Sequence, residues 1–203
     1  MKFIENFIIR QFTKSNYWNK KAQTLSWFGV PTRKFPSDFW IYQEILFEKR
    51  PDILIECGTK RGGSALFFAH MFDILGKGRV ISIDVKTEQE IEHPRITFLK
   101  GSSLDVFDDL KPEGEVMVIL DSNHFKDHVL KELNLYCNLV TPGQYIVVED
   151  TVTSTVHPRY RNCSPLEAVH EFLQSHPDFV PDRSREKFQI SSCPNGYLLK
   201  TKN

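Results

Sequence analysis

The feature that most constrains this chain is a change of rhythm at Pro51. From there onward, short apolar runs of strand length alternate with longer segments whose apolar residues recur at helical spacing. A buried parallel sheet is written this way, because both faces of each strand are covered and each return crossover carries a helix. The runs Ile53–Glu56, Val80–Asp84, Ile96–Leu99, Val116–Asp121 and Tyr145–Glu149 are the expected strands. Helices are expected at Ser64–Leu75, Leu104–Leu110, Phe125–Leu139 and Pro165–Ser175. Phe188–Ser191 and Tyr197–Lys200, separated by the turn residues Cys193-Pro194-Asn195-Gly196, read as a closing antiparallel hairpin. The expected fold is α/β: a doubly wound, mostly parallel seven-stranded sheet with a C-terminal antiparallel hairpin.

The segment before this alternation reads differently. Phe3, Ile4, Phe7, Ile8 and Phe12 recur at helical spacing, so the chain is expected to begin with an amphipathic helix. Its polar face is not notably basic, which favours docking on the domain or on a second copy of the chain over a membrane surface. Lys2, Glu5 and Arg10 interrupt the apolar residues, so neither a signal peptide nor a membrane span is expected there. Asn16 to Ser37 form an irregular aromatic stretch with Trp18, Trp27, Phe28 and Phe35, suited to a lid or a substrate wall. The expected division is a helical or lid extension over 1–50 and a catalytic domain over 51–203.

Lys plus Arg equal Asp plus Glu at 26 each, so no overall field draws in nucleic acid, and a small-molecule partner is expected. Cys57, Cys137, Cys163 and Cys193 are scattered without a paired or zinc-like spacing. They read as reduced thiols of a cytoplasmic protein.

In open sheets of this kind ligands sit beyond the carboxyl ends of the strands. Those ends carry Glu56, Asp84, Asp121 and Glu149-Asp150, an acidic rim that a scaffold alone does not need. After the first strand the chain runs Glu56-Cys57-Gly58-Thr59-Lys60-Arg61-Gly62-Gly63-Ser64. Lys60 replaces the middle glycine of a dinucleotide fingerprint, and the Gly-Lys-Ser/Thr ending of a P-loop is missing. A Glu-tipped strand before a loose glycine loop suits instead a ligand that presents a cationic amine and a carboxylate, as the methionine end of S-adenosylmethionine does. Asp84 is placed to accept from ribose hydroxyls, and Ser102 and Ser103 follow the third strand where adenine would border.

Asp121, Glu149 and Asp150 meet at neighbouring strand tips, and such crowding calls for a cation. Hard oxygen donors suit Mg²⁺, with Mn²⁺ as an alternative. His124, three residues past Asp121, is the candidate base for a hydroxyl oriented there, since imidazole titrates near neutrality. Taken singly, each of these residues also reads as a helix cap or a solvated turn.

Taken together the motifs resemble the cephalosporin hydroxylase and rhamnosyl O-methyltransferase group of class I S-adenosylmethionine-dependent methyltransferases. The resemblance rests on Pro36-Ser37-Asp38-Phe39-Trp40-Ile41-Tyr42-Gln43-Glu44, Ile55-Glu56-Cys57-Gly58-Thr59 with Gly62-Gly63-Ser64, and His93-Pro94-Arg95-Ile96 before Gly101-Ser102-Ser103. It continues through Ile119-Leu120-Asp121-Ser122-Asn123-His124, Val147-Val148-Glu149-Asp150-Thr151 and Asn195-Gly196-Tyr197-Leu198. It implies a Rossmann-like fold, a Mg²⁺ site on Asp121, Glu149 and Asp150, and cofactor contacts at Glu56, Gly58, Ser64, Asp84 and Ser102. Relatives with a base three residues after the first metal aspartate place that role on His124. The expectation is a Mg²⁺-dependent O-methyltransferase acting on a sugar or other polyhydroxylated small molecule. The competing readings are a non-catalytic cofactor-binding module or partner subunit, and a metal-dependent hydroxylase.

Overall fold

The computed structural model describes residues 2–19, 24–86 and 91–201. The chain opens with helix α1 (Lys2–Tyr17) and a small antiparallel ribbon, β1 (Ser26–Trp27) with β2 (Val30–Pro31). Helix α2 (Pro36–Lys49) follows, started by Pro36 in its first turn and ended by Arg50 in a left-handed conformation. The alternating region then gives β3 (Ile53–Cys57), α3 (Gly63–Leu75), β4 (Arg79–Asp84), β5 (Ile96–Lys100), β6 (Val116–Leu120), α4 (Lys126–Tyr136) and β7 (Tyr145–Val148). A short α5 (Thr153–Val156), α6 (Pro165–Ser175), β8 (Phe179–Pro181) and β9 (Tyr197–Lys200) complete it. Helix α6 starts where the sequence puts Pro165, behind a capping box in which Ser164 and Glu167 satisfy each other's backbone donors.

The seven-stranded sheet has the order β5-β4-β3-β6-β7-β9-β8, and β9 runs antiparallel to both of its neighbours. Strands β3 and β6 are buried along their whole length because both faces are covered. Along β6 the covers alternate: Val116, Val118 and Leu120 pack with Val129, Leu133 and Tyr136 of α4 and Ala168, Val169 and Phe172 of α6. Met117 and Ile119 face the other way, toward Ile41, Ile45 and Leu46 of α2 and Phe68 and Phe72 of α3. Each such side chain contributes about 1.5–3 kcal/mol by burial. Helix α2 therefore belongs to the same core as the sheet.

From β3 the chain builds outward through β4 to β5, then crosses back to lay β6 on the other side of β3. That reversal makes the β3/β6 boundary the switch point where a crevice opens. Register aligns the tips: Cys57 pairs with Leu120, and Leu120 with Val148, so Gly58, Asp121 and Glu149 leave the sheet side by side. The backbone N–H of Asp121 donates to the carbonyl of Cys57 at 2.8 Å, stitching two of those tips together.

Three local expectations need correction. Leu104–Leu110 is not an α-helix: Ser102 accepts from the amides of Leu104, Asp105 and Val106, which closes turns and leaves only a 3₁₀ turn at Phe107–Asp109. The partner strand of the C-terminal hairpin is Phe179–Pro181 rather than Phe188–Ser191. In the latter segment Gln189 is left-handed (φ 58°) and the carbonyl of Ile190 accepts from Ser37 of α2, so no ladder forms. Asn16 to Ser37 is not irregular throughout, since α1 runs to Tyr17, the β1–β2 ribbon lies within it and α2 starts at Pro36. The side chains of Phe3 and Ile4 lie outside the described residues. Phe7, Ile8 and Phe12 are exposed, while the C-terminal end of α1 docks through Trp18, whose indole N–H donates to the carbonyl of Val156 at 3.1 Å. Among the described residues no helix is long and apolar enough to cross a membrane.

Candidate functional site

A cleft of about 1280 Å³ opens at the switch point. Gly58, Thr59, Ser64, Asp84, Asp121, His124, Glu149 and Asp150 line it together, with Glu56 completely buried at the base of the same loop. Gly62 and Gly63 lie behind the loop at the start of α3, and Ser102 and Ser103 are not among the lining residues. Ser103 turns instead into a buried network: its hydroxyl donates to Glu132, and Tyr136 donates to its carbonyl at 2.7 Å.

Gly58 is a loop position that no other residue can fill without displacement. Its φ is +94°, and a Cβ there would stand 2.2 Å from the Asp121 carbonyl oxygen. Above it, Glu56 accepts from Ser82 at 2.7 Å through Oε2, while Oε1 and the neighbouring Thr59 hydroxyl have no hydrogen-bond partner among the described residues. Burial raises the Glu56 carboxyl above its ordinary value, and the Lys34 charge and the nearby Ser64, Ser82 and Thr59 hydroxyls pull it part of the way back. A buried carboxylate oxygen short of donors is costly, so the loop suits a cationic or N–H-bearing ligand. That matches the amino-acid end of S-adenosylmethionine. Asp84 accepts the backbone amides of Lys60 at 2.7 Å and Lys86 at 3.0 Å, which fixes its carboxylate at the rim with lone pairs to spare.

Across the cleft, Asp121, His124 and Asp150 bring donor atoms within 4.8 Å of one another. His124 Nδ1 lies 3.1 Å from Asp150 Oδ2, and Nε2 lies 3.6 Å from Asp121 Oδ1. Asp150 reaches this position from a left-handed backbone (φ 56°), a conformation aspartate tolerates better than most residues. Burial lowers the His124 imidazole, but hydrogen bonding to Asp121 and the charges of Asp150, Asp121 and Glu149 outweigh it and push the ring up to about 9. Burial raises Asp150 to about 6 against the pull of His124.

Glu149 faces a different set of partners. Its Oε1 accepts from Lys34 Nζ at 2.5 Å and from the Tyr42 hydroxyl at 2.6 Å, and the same Lys34 ammonium lies 2.9 Å from Asp121 Oδ2. Burial raises the Glu149 carboxyl while the ammonium opposes that rise. Neither Lys34 nor Tyr42 was legible as a site residue, because each meets its partner across 87 to 115 residues of chain. Carboxylates at neighbouring strand tips that recruit both an imidazolium and a lysine form a donor set suited to a hard divalent cation.

The loop after β7 contributes to the cleft through His157 and Tyr160. The His157 ring lies 4.8 Å from Trp18 and 5.1 Å from Tyr160, and Tyr160 lies 6.0 Å from His124. Arg159 is committed to the faces of Phe125 at 4.8 Å and Tyr160 at 5.9 Å.

Comparison with known proteins agrees with this architecture. A family model described as Rhamnosyl O-methyltransferase/CmcI matches residues 19–201. The rhamnosyl O-methyltransferase of Mycobacterium leprae is 36% identical over 208 residues, covering 95% of this chain and 90% of that protein. The catechol O-methyltransferase of Sus scrofa is 28% identical over 150 residues, 64% of this chain and 78% of that protein. Among solved structures, one described as "cmcI-D160 Mg-SAM" superposes with a TM-score of 0.74 at 24% identity, covering 89% of this chain and 78% of that one, a likeness of fold. The family match thus spans the sheet and every element of the cleft beyond Trp18, and the chain belongs to the rhamnosyl O-methyltransferase/CmcI family.

Proposed function

We propose that this protein transfers the methyl group of S-adenosylmethionine to a hydroxyl of a sugar or similar polyhydroxylated small molecule, with Mg²⁺ held at the Asp121, Glu149 and Asp150 carboxylates. The observation that carries this reading is that Gly58, Thr59 and Ser64, of the loop that starts at the buried Glu56, and the carboxylate–imidazole cluster line one cleft. At about 1280 Å³ the cleft exceeds the roughly 300–1,000 Å³ of a typical single-ligand site, room for a nucleoside cofactor and an acceptor side by side. Names borne by the relatives, rhamnosyl and catechol O-methyltransferase, support the same reaction class here.

Glu56 and Thr59 would receive the amino-acid end of the cofactor, and Asp84 would accept from its ribose hydroxyls. Bound there, S-adenosylmethionine would supply an electrophilic methyl group. A divalent ion on the carboxylates would lower the pKa of a ligated acceptor hydroxyl and fix its direction. His124 then acts as base. Asp150, 3.1 Å from Nδ1, would hold the tautomer that carries its proton there, and Nε2, at the longer 3.6 Å contact to Asp121, would take the acceptor proton. Neutralising the carboxylates would remove the charge that lifts His124 to about 9 and bring the ring toward the range of a base at neutral pH. Trp18, His157 and Tyr160 present ring faces on the acceptor side, which suits the C–H face of a sugar and excludes water from the reacting atoms.

The test is release of S-adenosylhomocysteine with a panel of rhamnosylated and other sugar acceptors, with Mg²⁺ and with a chelator. The expected result is acceptor-dependent turnover that the chelator abolishes and that His124→Ala lowers by about 10²–10⁴-fold. Turnover indifferent to both would overturn the assignment.

A further inference from the structure

Lys34 lies on the 32–35 stretch between β2 and α2, away from every residue of the alternating region, and yet its side chain ends inside the acidic cluster. It is 4% exposed, and its ammonium sits between Asp121 Oδ2 at 2.9 Å and Glu149 Oε1 at 2.5 Å. Burying an ammonium is expensive unless it is paired, and this one is paired with the two carboxylates that the cluster most needs to neutralise. Tyr42, on α2 just beyond, donates to the same Glu149 oxygen at 2.6 Å and so holds that carboxylate facing the lysine. By contrast Asp150 is paired with His124 at 3.1 Å.

Two cations cannot share these oxygens on equal terms. A divalent ion drawing on Asp121 and Glu149 would compete with the ammonium for their carboxylates, and like charges brought that close repel, most strongly where the side chains are buried as those of Lys34 and Glu149 are. We propose that Lys34 is a tethered counter-cation that sets the divalent-ion affinity of this site: it holds Asp121 and Glu149 together in the ion-free protein and opposes the ion for their oxygens. The inference rests on the reading of the cluster as a cation site. Its consequence is that ion loading and the seating of the 24–35 segment, which walls the cleft, are linked through one side chain.

The probe is Mn²⁺ alone, with free ion counted by electron paramagnetic resonance during titration of the unmodified protein, Lys34→Met, Lys34→Arg and Asp150→Asn. The expected result is that Lys34→Met binds Mn²⁺ at least tenfold more tightly, while Lys34→Arg, which keeps the charge, stays within about threefold of the unmodified protein. Ion-free Lys34→Met should also melt at a lower temperature and gain more in melting temperature on adding Mn²⁺, because the ion now supplies the charge the lysine gave. A structural ion pair alone predicts the reverse, with equal or weaker Mn²⁺ binding in Lys34→Met, and that result overturns the proposal. If binding is equal but Asp150→Asn abolishes it, the cation site stands and the role of Lys34 falls. If no variant binds Mn²⁺ at millimolar concentration, both fall. Should Lys34→Met fail to fold, Lys34→Gln carries the same comparison.

Discussion

Replacing Gly58 by alanine should separate the two demands that this position meets. The residue sits at φ +94°, where a Cβ costs about 1–2 kcal/mol from the backbone alone. The new methyl group would also stand 2.2 Å from the Asp121 carbonyl oxygen and 2.5 Å from its carbon, both backbone atoms of a neighbouring strand tip that cannot rotate away. Relief requires the β3 and β6 tips to part, straining the Asp121 N–H to Cys57 carbonyl bond, an overpacking cost of about 1–3 kcal/mol. The sum is about 2–5 kcal/mol, a large share of the roughly 5–15 kcal/mol that holds a domain together. Gly76 supplies the control: it is also left-handed, at φ +72°, but a Cβ there meets nothing within 4 Å. Gly76→Ala should therefore lose only the backbone part, about 1–2 kcal/mol, and leave S-adenosylhomocysteine binding unchanged. Equilibrium urea unfolding of the two variants reads the difference, and calorimetric titration should show cofactor affinity reduced at least tenfold in Gly58→Ala alone. Equal losses in the two variants, with cofactor binding intact in both, would refute the reasoning about the β3/β6 junction.

Two further outcomes follow from the electrostatics. Glu56→Gln keeps the shape of the loop but removes the charge, and hydrogen bonds to charged groups are worth about 1.5–3 kcal/mol, so cofactor affinity should fall roughly 10- to 100-fold by titration with little change in fold. In metal-free protein the His124 ring should titrate by NMR at about 9 and move down when Mg²⁺ is added. Because that value lies above the roughly 6.5 of an unfolded chain, its contribution to stability is complete below about pH 6.5 and is lost as pH rises through 9. A ring that titrates at its ordinary value without metal would show that Asp121 and Asp150 do not hold it.

The sheet was legible because a doubly covered strand such as Val116–Leu120 has no choice but a continuous apolar run, and the carboxylates were legible because they end those runs. Once register sets Cys57 beside Leu120 and Leu120 beside Val148, the residues that follow must converge. Helix α2 escaped because Phe39, Trp40, Ile41, Ile45, Leu46 and Phe47 place apolar groups on more than one face; Ile41 and Ile45 enter the core while Trp40 and Phe47 remain exposed. The hairpin strand was misplaced because Phe188–Ser191 alternates like a strand, and only tertiary bonding to Ser37 reveals otherwise. Lys34 and Tyr42 are products of folding, since each gains its meaning from a residue far along the chain. Trp18 stood in a stretch that reads as a lid or substrate wall, and only folding brings it against His157.

The most direct test of the whole account is a crystal structure of the protein grown with S-adenosylhomocysteine and Mn²⁺, with data collected where manganese scatters anomalously. The amino group of the ligand is expected within hydrogen-bonding distance of Glu56, with a manganese peak bounded by Asp121 and Asp150. A ligand seated away from the Glu56–Ser64 loop, or a cleft with cofactor bound and no manganese peak beside those carboxylates, would contradict it.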